Sequence, residues 1–208
     1  MNQNKTIRNV FLTFLAYILF SILFSHFHYL ILNIETLEKN EYLKDFPKLS
    51  RTSFSFSNIY IIAIKELIST LLVSLLIFIS LTLYNNKIHF LTLLDSIIKA
   101  KYIFLISILL EIIYLKYVLI DFTLLDLNHF SPLSLINLFD YSSVELWLIY
   151  PLQTINLFEI CFVFLITYFI NKKTNISKKM SFKIVATSYG SALLLWIYTV
   201  ILFTLNNS

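Results

Sequence analysis

Long apolar runs, separated by short polar segments that carry most of the lysines, organise this chain. Five of the runs are long enough to cross about 30 Å of hydrocarbon, which takes about 20 helical residues. They predict membrane spans over Val10–Asn33, Ile59–Tyr84, Tyr102–Leu125, Pro151–Ile170 and Phe182–Leu205. Two connections have patterns of their own. In Ile88–Ile98, apolar Phe90, Leu91, Leu94 and Ile98 recur at three- and four-residue intervals, which predicts an amphipathic helix lying in the membrane interface. Ser131-Pro132 supplies an N-cap and a first-turn proline for a short helix over Leu133–Phe139. The expected fold is all-α, with residues 1–208 forming a single transmembrane domain. It is a bundle of five transmembrane helices with short interfacial helices.

Composition agrees with lipid as the solvent. Hydrophobic residues make up 58% of the 208 and charged residues 13%, against about 45–50% and about 25% in soluble domains. A soluble domain of this size has no core large enough to hide so much apolar surface. The first run follows Lys5 and Arg8 as a signal peptide would, but it is too long for an h-region. His26-Phe27-His28-Tyr29 stands where small cleavage-site residues belong, so a retained anchor is expected.

Charge then orients the spans. The N-terminal tail, the segment between spans two and three, and the segment between spans four and five together hold ten Lys and Arg residues. The other side holds four, Lys39, Lys44, Lys48 and Arg51, balanced by Glu35, Glu38, Glu41 and Asp45. Positive residues are retained in the cytoplasm, so the N-terminus is expected inside and the C-terminus outside. The net charge of +4 belongs to these flanks and not to a nucleic-acid face. The bias toward Ile, Asn, Lys, Phe and Tyr suggests a bacterial source, hence an inner (plasma) membrane location.

Scarce residues exclude several chemistries. One glycine, Gly190, builds neither a dinucleotide fingerprint nor a P-loop. One cysteine, Cys161, makes no internal disulfide. His26 and His28 stand two apart on a helix and point in nearly opposite directions, so they do not share a metal. No serine sits in a glycine-flanked nucleophile elbow. The expectation is a protein without cofactor, metal or catalytic residue.

What remains are ionisable side chains inside spans, which are costly in lipid and are candidates for function. His26, Lys65, Glu66, Glu111, Lys116 and Glu159 are the candidates, with Asp121 nearer the surface. At 1.5 Å per residue most of them share a layer roughly 10–14 Å below the outer surface. Lys65 or Lys116 is expected to face Glu66 or Glu159. The layer reads either as ion pairs that fix helix register or as a polar cavity for a proton, small ion or headgroup. In span five, Ala186-x-x-x-Gly190 and Ser188-x-x-x-Ala192 form a small-residue stripe suited to close helix packing. That stripe is a candidate contact face for another span, a protein partner or a second copy.

The second half resembles the Yip family. The likeness rests on Ser131-Pro132-Leu133-Ser134-Leu135 before a span, Asn156-Leu157-Phe158 opening the next, and the lysine-rich turn Lys172–Lys179 leading to Lys183-Ile184-Val185. His89-Phe90-Leu91-Thr92-Leu93-Leu94 fits the family's interfacial helix. The resemblance covers about residues 86–205 and implies five spans, a cytoplasmic N-terminus and a short outward C-terminus. Eukaryotic members act in vesicle trafficking with Rab-type GTPases; their long N-terminal region is cut here to about nine residues. The family's third-span proline and fourth-span tryptophan–glycine are missing from Ile103–Ile108 and Ile160–Tyr168. The function implied is a non-enzymatic scaffold or accessory subunit in the bilayer. The alternative is a small transporter or channel subunit using the buried polar layer.

Overall fold

The structure, a computed structural model, describes residues 3–39, 56–117 and 129–207. Within these residues the protein is all-helical and has no β-strand. Helix α1 spans Gln3–Lys39, α2 Phe56–Leu83 and α3 Phe90–Tyr117. After two short 3-10 turns, Leu135–Leu138 and Tyr141–Ser143, come α4 (Leu146–Thr154) and α5 (Leu157–Lys173). The last rod is α6 (Lys178–Val185), a π turn over Ala186–Gly190, and α7 (Ser191–Asn207).

Among the described residues, three stretches are long and apolar enough to cross a membrane: Thr6–His28, Asn58–Leu83 and Lys178–Asn206. The other two expected spans look different, for identifiable reasons. Helix α3 carries Asp95, Lys99, Lys101, Glu111 and Lys116 along its length, and expected span residues 118–125, with Asp121, lie outside the described residues. The segment 40–55, with Lys44, Lys48 and Arg51, lies outside them too. The fourth expected span is broken. Ile155 leaves helical geometry at φ −78°, ψ 90°, and the Asn156 side chain caps α5 by accepting the Glu159 N–H at 2.9 Å. Helix α5 alone has 17 residues, about 26 Å at 1.5 Å each.

Both expected interfacial helices are corrected. Ile88–Ile98 is not a separate surface element, because α3 runs unbroken from Phe90 to Tyr117. No glycine or proline interrupts it, and Leu93, Ile97 and Ile98 are buried in the bundle. On the far side, Ser131-Pro132 does not start a helix. Leu133 takes a left-handed conformation (φ 52°), and the 3-10 turn begins only at Leu135. This backbone is held by a short antiparallel bridge to the α4–α5 break, Leu135 N–H to Ile155 O and Leu157 N–H to Leu133 O, both 3.0 Å.

The main core joins Ile77 and Leu81 of α2, Leu93, Ile97 and Ala100 of α3, Phe162, Ile166 and Ile170 of α5, and Ile184 and Val185 of α6. These stretches lie toward the end where the α2–α3 turn carries Lys87, the end of α5 carries Lys172 and Lys173, and the start of α6 carries Lys178 and Lys179. Helix α1 joins by a second cluster, Val10 and Tyr17 against Ile98 and Leu105. Elsewhere the usual burial pattern is reversed: Leu195 is 69% exposed while Thr70, Ser74, Ser181 and Lys101 are buried. An apolar exterior over a partly polar interior suits hydrocarbon surroundings.

Candidate functional site

The buried cluster is centred on Lys101. The rings of Phe78 and Phe90 meet at 5.5 Å near the lysine-rich end and set the register between α2 and α3. Twelve residues back along α2 from Phe78 lies Glu66, and eleven residues along α3 from Phe90 lies Lys101. These are matching heights of about 18 and about 16 Å, so the two charges meet deep within the bundle.

The Lys101 ammonium donates to Glu66 Oε2 at 2.6 Å, Ser69 Oγ at 2.5 Å and Thr70 Oγ1 at 3.1 Å. Lysine has three N–H donors, and all three have acceptors. The two hydroxyls in turn donate to the Glu66 carbonyl, at 3.3 and 2.6 Å. From α1, the Tyr17 hydroxyl donates to the same Glu66 Oε2 at 3.0 Å, and its ring lies 5.5 Å from the Lys101 nitrogen. Tyr17 is held in place edge-on to Tyr102, whose hydroxyl donates to the Thr13 carbonyl.

A second pair stands beside the first. Glu159, in the first turn of α5, accepts the Tyr189 hydroxyl at 2.6 Å. Tyr189 belongs to the π turn and packs edge-on to Phe162 at 5.2 Å, which in turn meets Phe104 of α3 at 5.0 Å. The polar groups thus come from α1, α2, α3, α5 and the π turn.

The expected partners are redrawn by this geometry. Glu66 pairs not with Lys65 or Lys116 but with Lys101, a residue that the charge pattern assigns to a flanking segment. Lys65 is exposed, being adjacent to Glu66 and therefore turned about 100° away. Lys116 is exposed near the end of α3, with its nitrogen 5.2 Å from the Tyr117 ring. Glu111 lies 3.1 Å from His28 Nε2 in a half-buried contact between α1 and α3, while His26 is half-buried on α1. Glu159 faces Tyr189 where a lysine was expected. Lys101 itself is the residue that sequence reasoning missed. The signal was present: Lys101 stands four residues after Ile97 and eight after Leu93, on the core stripe of α3.

The small-residue stripe falls on the π turn and the start of α7, and the π turn packs against α2. Ala186, Ser188, Gly190 and Ala192 are all half-buried, and the π turn breaks the four-residue spacing that would align them. A Cβ placed on Gly190 would meet nothing within 4 Å, so among the described residues no neighbouring backbone uses the missing side chain. Cys161 is half-buried and carries no disulfide. Among the described residues no group of three or more His, Cys, Asp and Glu side chains is placed to hold a metal.

Fold and site together define a helical bundle compatible with a membrane protein, holding a charged cluster away from solvent. No family model matches the chain, and no curated protein or solved structure matches it.

Proposed function

We propose that the chain is a five-span integral membrane protein of Yip type, N-terminus inside and C-terminus outside, in a bacterial inner membrane. It acts there as a non-enzymatic scaffold or accessory subunit of a membrane assembly. The observation that carries this reading is the saturation of Lys101: its three donors are taken by Glu66, Ser69 and Thr70. Charge placed in the bundle is spent on fixing α1, α2 and α3 against one another. Further support comes from alternating helix direction. Helices α1 and α3 run parallel, matching Thr13 with Tyr102 and His28 with Glu111, and α2 runs against them. With Lys101 withdrawn from the flanking charges, nine cations remain on the proposed cytoplasmic side, which supports this orientation.

The alternative, a small transporter or channel subunit, draws on the polar groups of α1, α2 and α3 being joined by Glu159 of α5 and Tyr189 of the π turn. Purification in mild detergent at natural expression level, followed by native mass spectrometry and flux measurements in vesicles, separates the two. A stoichiometric complex with another integral membrane protein supports the scaffold. A lone homo-oligomer that conducts ions, and stops when Glu159 is replaced by Gln, overturns it.

A further inference from the structure

At the lysine-rich end, α1 is flanked by two cavities of opposite character. One, of about 190 Å³, lies between α1, α2 and α3 and is walled by carbon, with Ile7, Phe11 and Phe14 on its α1 side. The other, of about 340 Å³, lies between α1, the start of α3 and the end of α5, and is built differently. Thr6, Asn9 and Thr13 line it from one face of α1, Asp95 and Lys99 from α3, and Lys173 from the last residue of α5.

We infer that this second cavity binds the phosphodiester headgroup of an anionic phospholipid. Two ammonium groups and one carboxylate give the lining a net charge of +1, which a phosphodiester's single negative charge neutralises. Lys99 is held on Asp95 at 2.6 Å, and Thr13 turns its hydroxyl to backbone carbonyls of α1 and to Asp95. Lys173 is exposed and has no carboxylate partner among the described residues, so its charge is available to a ligand. Thr6 and Asn9 add neutral donors beside it.

Depth selects a lipid over a dissolved anion. Thr6 opens the membrane-crossing stretch of α1 and Lys173 closes α5, so the cavity lies at the boundary where headgroups sit. Leu12, 53% exposed, also lines the cavity, with Val10 and Thr92, and leads from the polar pocket onto the apolar flank of α1, where an acyl chain would run.

The test is native mass spectrometry of the delipidated full chain, titrated separately with phosphatidylglycerol, phosphatidylcholine and inorganic phosphate. One phosphatidylglycerol per chain is expected, with weaker retention of the other two. Lys173→Gln removes a charge-assisted contact and is expected to weaken phosphatidylglycerol about tenfold. Asn9→Leu is expected to weaken it as well. Lys179→Gln, which removes an exposed lysine of α6 outside the cavity, is expected to change nothing. Equal losses in Lys173→Gln and Lys179→Gln would mean diffuse attraction to the basic end and would overturn the site. Equal retention of phosphatidylcholine, or equal binding of inorganic phosphate, would overturn it too.

Discussion

Replacing Lys101 by methionine keeps the length of an apolar stem and removes the ammonium that Glu66, Ser69 and Thr70 share. Among the described residues the Glu66 carboxylate would then keep only the Tyr17 hydroxyl, in a site where the two charged side chains are 8% and 16% exposed. Breaking a buried ion pair from one side costs about 3–5 kcal/mol, because the partner stays charged without compensation. Individual polar contacts between membrane helices are worth less, about 0.6 kcal/mol on average. The lower end of the first range, about 3 kcal/mol, is therefore the expected loss, equivalent to a fall in Tm of about 6–12 °C for a chain of this size. The second half of the cycle is more informative. Lys101→Met combined with Glu66→Gln removes both charges and leaves an amide that still accepts from Tyr17, so about 2 kcal/mol should return. Unfolding in mixed micelles of mild detergent and dodecyl sulfate, followed by circular dichroism, measures all four proteins. A single variant as stable as the parent, or a double variant no better than the single, would refute the claim that this pair locks the bundle.

Three further outcomes follow from individual contacts. Tyr189→Phe removes the hydroxyl that Glu159 accepts at 2.6 Å and should cost about 1–2 kcal/mol by the same unfolding assay. Leu133→Gly relieves a left-handed backbone at an exposed position and should raise stability by about 1 kcal/mol, provided the bridge to Leu157 is retained in amide exchange. His28→Leu breaks a half-exposed contact to Glu111 and should change stability by less than about 1 kcal/mol; a larger loss would show that this contact, too, holds α1 to α3.

Much of the fold was legible because hydrophobic length is hard to disguise. Helices α2 and the α6–α7 rod stand within a few residues of the runs Ile59–Tyr84 and Phe182–Leu205. The expected break between Asn33 and Ile59 was less legible for α1, which the helical pattern carries on to Lys39. The interruption at Ile155-Asn156 lies inside a run read by its length, although polar Gln153, Thr154 and Asn156 mark the place. Asn156 reads as a cap only once Glu159 is seen to donate to it. Which acids and bases would pair was the weakest part of the reading. Lys99 and Lys101 are two residues apart, so a helix sends one outward to Asp95 and the other inward to Glu66. Counting charges by segment treats them alike. Only the phase of the core stripe through Leu93 and Ile97 tells them apart. The candidates Glu66, Glu111 and Glu159 were found because a carboxylate in an apolar run is conspicuous, whereas Tyr17 and Tyr189 pass as ordinary aromatics.

A π turn accommodates one residue more than an α turn, so it acts on a helix as a vernier acts on a scale. Below it, α6 sets Ile184 and Val185 into the core; above it, α7 offers Trp196, whose indole nitrogen donates to the Tyr150 hydroxyl of α4 at 2.6 Å. The interrupted fourth segment and the continuous fifth are thereby kept in step, although one is offset by a kink and the other by a single surplus residue. Shortening Ala186–Gly190 by one residue would rotate everything beyond it by about 100°. Trp196 would then swing away from α4, and two halves of one rod that now serve different neighbours would lose their common timing.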